Sequence, residues 1–199
     1  MPLQQNNNRH NSEESDQRPG VFVALGSNTA FEDDTGRLLE GAGLFSSVVQ
    51  ALNHAGMLAI RISSHWLSPA WPDPTLGNFS NAVVEVDCST LDAQEVLCRL
   101  LEIEVNYGRK RTVKNAPRTL DLDLIDFKGE VISTSTPYNL QCPHPRMHER
   151  SFVMGPLMEI CPNWRHPVSG EEGSDLMIAA LKNWPAQSSD SITLLDTQK

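Results

Sequence analysis

Residues 117–124 read Pro-Arg-Thr-Leu-Asp-Leu-Asp-Leu, and this stretch decides the fold of the chain. From Leu120 to Leu124, apolar and acidic residues alternate strictly, which is typical of a β-strand with one dry face and one wet face. This strand closes a regular order of predicted strands and helices.

The segments before this strand supply the rest of that order. The predicted elements are a strand at 21–25, a helix within 38–54, strands at 58–67 and 81–86, and a helix at 91–106. Ser89 or Thr90 can cap the second helix. The order strand, helix, strand, strand, helix, strand is that of a ferredoxin-like βαββαβ core. We therefore predict an α+β fold, with a mainly antiparallel sheet and helices packed on one side.

The chain continues beyond this core, and its ends differ from its middle. We predict a hairpin near residue 131 and two further helices after it. The two ends are rich in Asn, Gln, Ser and Asp, and such segments bury too little surface to offset the entropy of ordering. We predict a disordered tail at 1–19, one domain at 20–184 and a flexible tail at 185–199.

The composition excludes several classes of partner and location. The 199 residues carry 16 Lys and Arg against 25 Asp and Glu, a net charge of −9. Nucleic acids and anionic membranes bind clustered cations, so we expect neither as a partner. No run approaches the roughly 20 apolar residues that span a bilayer, and the start lacks a signal peptide, so we expect a cytoplasmic protein. The four cysteines contain no Cys-x-x-Cys pair, and we expect free thiols.

Asp121 and Asp123 form the first candidate site. Residues two apart on a strand project from one face about 6.6 Å apart, so both carboxylates can reach one point or two neighbouring metal ions. Such oxygen ligands suit Mg²⁺, which completes its shell with water and substrate phosphate. The alternative is the polar side of an ordinary half-exposed strand. Asp126 is out of phase with the pair and is left out of this site.

The segment just before the acidic strand is strongly basic. Residues 109–118 hold five of the 16 positive charges of the chain. Cations next to paired carboxylates are what phosphoryl chemistry requires, because metal and guanidinium groups then share the charge of a polyphosphate. The alternative is a solvated basic loop. The adjacency of the two segments favours a triphosphate site.

A third motif, Pro-His-Pro-Arg-Met-His-Glu-Arg, occupies residues 143–150. Its prolines hold His144 in an extended segment, where the imidazole can face a nucleotide or be merely structural. A zinc site is a weaker alternative, because its four candidate ligands fit no standard zinc spacing. Those candidates are Cys142, His144, His148 and Cys161. The chain has no Gly-x-x-x-x-Gly-Lys loop, which excludes an ATP site of the P-loop type.

In their order along the chain, these motifs resemble the 6-hydroxymethyl-7,8-dihydropterin pyrophosphokinase family of folate biosynthesis. The resemblance runs from about residue 20 to residue 170. It rests on Gly-Ser-Asn at 26–28, Ser-Pro at 68–69, Asn-Phe-Ser-Asn-Ala at 78–82, Gly-Arg-x-Arg at 108–111, the stretch at 117–123, the motif at 143–150 and Pro-Leu-x-Glu-Ile-x-Pro at 156–162. It implies a ferredoxin-like core and transfer of a pyrophosphoryl group from ATP to the hydroxymethyl oxygen of the pterin, with release of AMP.

The resemblance also implies roles for individual residues. Asp121 and Asp123 would hold two Mg²⁺ ions that bridge the triphosphate of ATP, and Arg109 and Arg118 would neutralise phosphate charge. The implied ATP-binding residues are Glu104, Arg111, His144 and Arg150. The implied pterin-binding residues are Ser68, Trp71, Phe79, Asn81 and Phe152, with the ring stacked between the two phenylalanines. We expect a monomer whose partners are these two small molecules.

The chain departs from the family pattern at two places. Asn115 and Ala116 stand where the family often has Trp-Gly, and Pro145 replaces a ring that often follows the histidine. Two other functions stay open at this point. One is a ferredoxin-like module that binds RNA or a phosphorylated effector through the basic loop, and the other is a degenerate relative that binds pterin without turnover.

Overall fold

The computed structural model describes residues 20–70, 77–109, 118–183 and 187–188. The strands are β1 Val21–Ser27, β2 Phe31–Glu32, β3 Leu38–Leu39, β4 Leu58–Ile62, β5 Trp66–Pro69, β6 Asn78–Asp87, β7 Asp121–Phe127, β8 Ile132–Thr134, β9 Leu140–Cys142 and β10 Gln187–Ser188. The helices are α1 Gly41–His54, α2 Ala93–Asn106, the short 3₁₀ helix Met147–Glu149, α3 Ser151–Ile160 and α4 Gly173–Asn183. None of the helices in these ranges is long and apolar enough to cross a membrane.

One sheet carries most of the strands. Its order is β10-β5-β6-β1-β7, with β4 also paired to β6, and each of these pairs is antiparallel. The four predicted core strands therefore lie in the order fourth, first, third, second. This is the ferredoxin-like arrangement that the order of elements predicts.

The central strand β1 is buried on both faces. Val21, Val23 and Leu25 belong to the core beneath α1 and α2. Phe22 and Ala24 belong to a second core beneath α3 and α4. The expectation that helices pack on one side holds for α1 and α2, and it is incomplete because α3 and α4 cover the other face. A continuous apolar run is the pattern expected of a strand buried on both sides.

Two local predictions are corrected by the structure. The strand predicted at 58–67 is two strands, β4 and β5, because the chain leaves regular pairing between them. The cap of α2 is Asp92, whose carboxylate accepts the Glu95 N–H at 2.8 Å, while Glu95 accepts the Asp92 N–H at 2.9 Å. This reciprocal capping box satisfies donors that neither Ser89 nor Thr90 satisfies.

The predicted tails lie mostly outside the described residues. Residues 1–19 lie outside them, as do 184–186 and 189–199. Within the predicted C-terminal tail, Gln187 and Ser188 form β10 against β5. The edge of β5 offers unpaired backbone groups, and a short strand can satisfy them.

Candidate active site

The predicted acidic pair lies on the side of the sheet that faces α3. Asp121 and Asp123 alternate along β7 with Leu122 and Leu124, which point into the core beneath α1 and α2. The side chains of the two aspartates are 20% and 37% exposed. The L-D-L-D alternation therefore places both carboxylates on one accessible face, as the sequence predicts.

A glycine separates this pair from the predicted pterin-binding amide. Gly26 of β1 stands opposite Asp121 on one side and opposite Asn81 on the other. A Cβ atom at Gly26 would lie 3.7 Å from the Asp121 Cβ and 4.0 Å from the Asn81 Oδ1. Because Gly26 has no side chain, the carboxylate and the amide border the same open strip of sheet.

Guanidinium groups surround the acidic pair. Arg109 and Arg118 each form an ion pair with one carboxylate oxygen of Asp121. Arg150, which precedes α3, approaches Asp123 with an N–O distance of 3.4 Å. Three of the predicted phosphate-binding arginines thus converge on the two predicted metal ligands from three separate segments of the chain.

Glu104 lies beneath this cluster. Only 1% of its surface is exposed. Its Oε1 accepts the Leu122 N–H at 2.8 Å and also binds the Arg109 guanidinium. In this arrangement Glu104 links α2 to β7 and is placed to orient the Arg109 guanidinium. Because it is almost fully buried, it has almost no surface with which to contact ATP.

His144 joins the site from the opposite end of β7. The backbone N–H of His144 donates to the Ile125 carbonyl at 2.8 Å, and the ring Nδ1 accepts the backbone N–H of Arg146 at 3.2 Å. Burial lowers the pKa of His144, and this effect exceeds the opposing influence of the Asp123 carboxylate. A neutral imidazole that already accepts at Nδ1 carries its proton on Nε2, which can donate a hydrogen bond.

Three of the predicted pterin-binding residues, Ser68, Phe79 and Asn81, lie on one face of the neighbouring strands β5 and β6. Ser68 of β5 stands opposite Phe79 of β6. The Asn81 amide is 4% exposed, and its Nδ2 donates to Ser68 Oγ and to the Phe79 carbonyl, both at 3.1 Å. Phe152, in the first turn of α3, has its ring centroid 5.9 Å from the Arg150 guanidinium carbon. The Asn81 amide is therefore held by neutral hydrogen bonds to residues of β5 and β6.

Two predicted site residues, Trp71 and Arg111, lie outside the described residues. The same is true of residues 110–117, which form most of the basic loop. Each end of that loop is described. Arg109 lies three residues after the end of α2, and Arg118 lies three residues before the start of β7.

Sequence reasoning missed the residue that holds the second end of the loop. The Asn28 Oδ1 accepts the Arg118 N–H at 2.8 Å, and the Asn28 N–H donates to the Arg118 carbonyl at 3.1 Å. An asparagine directly after a strand was the available signal, because its side chain readily bonds to nearby backbone. Its distant partner could not be read from local sequence.

Asp126 shares the sheet face of the acidic pair and is kept out of the pair by burial. The pairing of β1 with β7 shifts register between Phe22 and Val23, so Asp126 stands opposite Phe22 and faces the core beneath α3 and α4; this corrects the prediction that it is out of phase. The Asp126 carboxylate is buried and accepts the Trp164 indole N–H at 2.7 Å, and burial raises its pKa. This carboxylate has a structural role beneath α3 and α4.

The zinc alternative receives no support. Across the described ranges, which contain all four candidate ligands, no group of three or more His, Cys, Asp or Glu side chains could hold a metal ion. Burial raises the pKa of Cys142 to about 12, so its thiol stays protonated. Cys88, Cys98, Cys142 and Cys161 are free thiols, as expected.

Comparison with known proteins identifies the family. A family model described as 7,8-dihydro-6-hydroxymethylpterin-pyrophosphokinase (HPPK) matches residues 22–162. The chain belongs to the HPPK family. The match covers both ends of the site just described, from the Gly26 strip to the start of α3, and it confirms the family and the pyrophosphokinase class that the motifs predict.

Relatives of known name agree with this assignment. The chain is 40% identical over 108 residues to the 2-amino-4-hydroxy-6-hydroxymethyldihydropteridine pyrophosphokinase of Aquifex aeolicus, which covers 54% of this chain and 65% of the relative. It is 38% identical over 152 residues to the Synechocystis enzyme of the same name, covering 76% of this chain and 71% of the relative. The chain therefore spans about two thirds of the length of these two relatives.

A solved structure agrees with the fold. The HPPK-DHPS of Plasmodium falciparum, crystallised with pteroate, superposes with a TM-score of 0.64 at 11% identity. The superposition covers 85% of this chain and 46% of that one, so this HPPK spans less than half of the longer protein. At this identity the likeness shows the α+β fold alone, and it confirms that prediction.

Proposed function

We propose that this HPPK transfers the pyrophosphoryl group of ATP to the hydroxymethyl oxygen of 6-hydroxymethyl-7,8-dihydropterin, giving the pterin diphosphate and AMP. One observation carries the proposal. The acidic pair on β7, with its three arginines, shares one sheet face with the Asn81 amide, and Gly26 leaves the strip between them open. A charged polyphosphate and a flat polar ring can therefore bind side by side.

The residues present fit a magnesium site. Asp121 and Asp123 supply hard, partly exposed carboxylate oxygens, and Mg²⁺ typically takes one or two carboxylates and fills its shell with water and phosphate oxygens. We propose that these two aspartates hold two Mg²⁺ ions together with the triphosphate of ATP. Bound there, the ions would neutralise charge on the transferring group.

The arginines carry the remaining electrostatic stabilisation. Arg109 and Arg118 bind Asp121, and we propose that both exchange this carboxylate for phosphate oxygens when ATP binds. Arg150 and His144 flank Asp123 and would contact the nucleotide, as would Arg111. In an in-line attack on the β-phosphorus, these groups align the reactants and stabilise the spreading negative charge.

Glu104 acts in this scheme as a positioning residue. Its burial and its bonds to Arg109 and to the Leu122 backbone support a role in orienting the arginine and the acidic strand. This replaces direct ATP contact as its proposed role. A buried carboxylate that accepts charged and backbone donors is fixed in place, which suits a support for a mobile partner.

The pterin would lie over the face of β5 and β6 that carries Ser68, Phe79 and Asn81. Asn81 is oriented by Ser68 and by the Phe79 carbonyl, so its amide can fix the polar edge of a heterocycle. Phe79 and Phe152 would supply the two stacking faces, and Trp71 would complete the pocket. Stacking against the two aromatic faces would stabilise the bound ring, whereas the amide would determine its orientation.

The decisive experiment measures AMP formed from Mg-ATP with and without 6-hydroxymethyl-7,8-dihydropterin. Pterin-dependent AMP supports the pyrophosphokinase. A module that binds RNA or a phosphorylated effector would form no AMP in either sample, and a degenerate relative would bind pterin without turnover. AMP formation that does not depend on pterin would contradict the proposal.

Two further proposals concern the whole protein. We propose that the enzyme acts as a monomer in the cytoplasm, as expected from its sequence. Sedimentation at catalytic concentrations checks the first statement, and cell fractionation checks the second.

A further inference from the structure

Glu159, in the last turn of α3, binds three donors from one short segment of the chain. The Ser64 N–H donates to its Oε1 at 2.8 Å. The Ser64 hydroxyl and the Trp66 indole N–H both donate to its Oε2, each at 2.8 Å. That segment connects β4 to β5. A single side chain thus ties α3 to the connection between two strands.

This connection holds one residue more than the strand that it faces. Both β4 and β5 pair with β6, with Ile62 opposite Val84 and Trp66 opposite Asn81. Four steps along the chain therefore face three steps along β6. The extra residue is accommodated as in a β-bulge. The donors that bind Glu159 lie within and directly after this irregular segment.

The extra residue decides which face of the sheet β5 presents to the site. Because side chains alternate along a strand, regular pairing would place Trp66 and Ser68 on the side of Ile62, which packs against the α1 and α2 core. Instead, Trp66 lies against α3, where a Cβ atom at Gly155 would come within 2.5 Å of its ring. Ser68 likewise faces the site and accepts the Asn81 amide.

We propose that Glu159 is a positioning residue for the pterin. It stabilises the bulge that determines which side chains of β5 face the site. In this way it keeps Ser68 on the site face, where Ser68 orients Asn81. Glu159 itself does not touch the reacting groups. The inference rests on the proposed function, since it assigns this strand to the pterin half of the site.

The test compares the two ligands in the full chain. Pterin affinity is measured by titration calorimetry with Mg²⁺ and an unreactive ATP analogue present, and the affinity of the analogue is measured separately. We expect Glu159→Ala to weaken pterin binding about tenfold and to change analogue binding by less than about twofold. Glu159→Gln should be intermediate, because an amide oxygen still accepts hydrogen bonds.

Glu172 provides a matched control. It is an exposed glutamate whose carboxylate pairs with Arg165. Glu172→Gln should leave both affinities unchanged. Trp66→Phe removes the indole donor and keeps a ring against Gly155, so it tests the same contact if Glu159→Ala does not fold. We expect it to weaken pterin binding about threefold, again without affecting the analogue.

The possible results separate the inference from the proposed function. Unchanged pterin affinity in Glu159→Ala, or an equal loss for both ligands, would overturn the positioning role while the wild-type protein still binds pterin. A wild-type protein that binds no pterin would overturn the proposed function and the inference together.

Discussion

The phosphate end and the pterin end of the site are stabilised by different interactions. At the β7 end, the carboxylate of Asp121 is shared by the guanidinium groups of Arg109 and Arg118. At the β5 end, the buried Asn81 amide donates to the Ser68 hydroxyl. Partly exposed ion pairs are weak and exchange partners easily, whereas buried polar groups keep their hydrogen bonds. On the proposed function, we therefore expect the phosphate end to change partners during turnover and the pterin end to keep its hydrogen bonds.

The largest expected effect comes from removing a carboxylate at the phosphate end of the site. Asp121→Ala and Asp123→Ala should each lower kcat/KM at least about 1000-fold, because loss of a metal clamp removes several kcal/mol of transition-state stabilisation. AMP formation across a range of Mg²⁺ concentrations measures this. Asp34→Ala, at an exposed position, is the control. Near-normal turnover in both site variants would refute the assignment of Asp121 and Asp123 as metal ligands.

The second prediction concerns loss of the Asn81 amide at the pterin end of the site. Asn81→Ala should raise the KM for pterin about 10- to 100-fold and leave the KM for ATP within about twofold, because a lost buried hydrogen-bonding partner costs about 1–3 kcal/mol. Steady-state kinetics with each substrate varied separates the two constants. Asn53→Ala is a matched control, since Asn53 accepts the Ala59 N–H at 2.7 Å at the far end of α1. A rise in both KM values would mean that the two ends are not independent.

The third prediction concerns the start of the basic loop. Gly108 has φ +76°, and a Cβ atom there would lie 3.8 Å from the Phe31 ring. Gly108→Ala should destabilise the protein by about 1 kcal/mol in urea unfolding, because the left-handed region is unfavourable for alanine. Gly43→Ala, inside α1 with nothing within 4 Å of the added Cβ, should be neutral or stabilising. Equal effects of the two substitutions would exclude a conformational role for Gly108.

The smallest expected effect is a pH dependence of stability that arises beside Asp123. Burial lowers the pKa of His144 in the folded protein, so the unfolded chain binds more protons at and below about pH 6.5. Its contribution to stability is therefore present above that pH and is lost as the pH falls. Between pH 7 and pH 6 the loss should be under about 1 kcal/mol.

Comparison with His144→Asn isolates this contribution. Burial also lowers the pKa of His166, so the wild-type slope contains both histidines. Urea unfolding at several pH values should give a shallower slope for the variant. An unchanged slope would mean that His144 does not contribute.

The sequence predicts much of the fold because its signals are local. The order of elements gives the ferredoxin-like core, and the L-D-L-D alternation puts both aspartates on one face. The division of 58–67 into β4 and β5 could not be predicted, since the extra residue is defined only by its register against β6. The second covering layer was missed as well, because it requires knowing where α3 returns to the sheet.

The candidate site divides in the same way. The residue types that carry the chemistry can be predicted from sequence, because alternation, charge clustering and motif order are properties of neighbouring residues. Three features are visible only in the folded chain: Glu104 is buried beneath Arg109, Gly26 borders both Asp121 and Asn81, and a bulge held by Glu159 turns β5 toward the site. Each of these depends on pairing between residues far apart in the chain, which local periodicity does not specify.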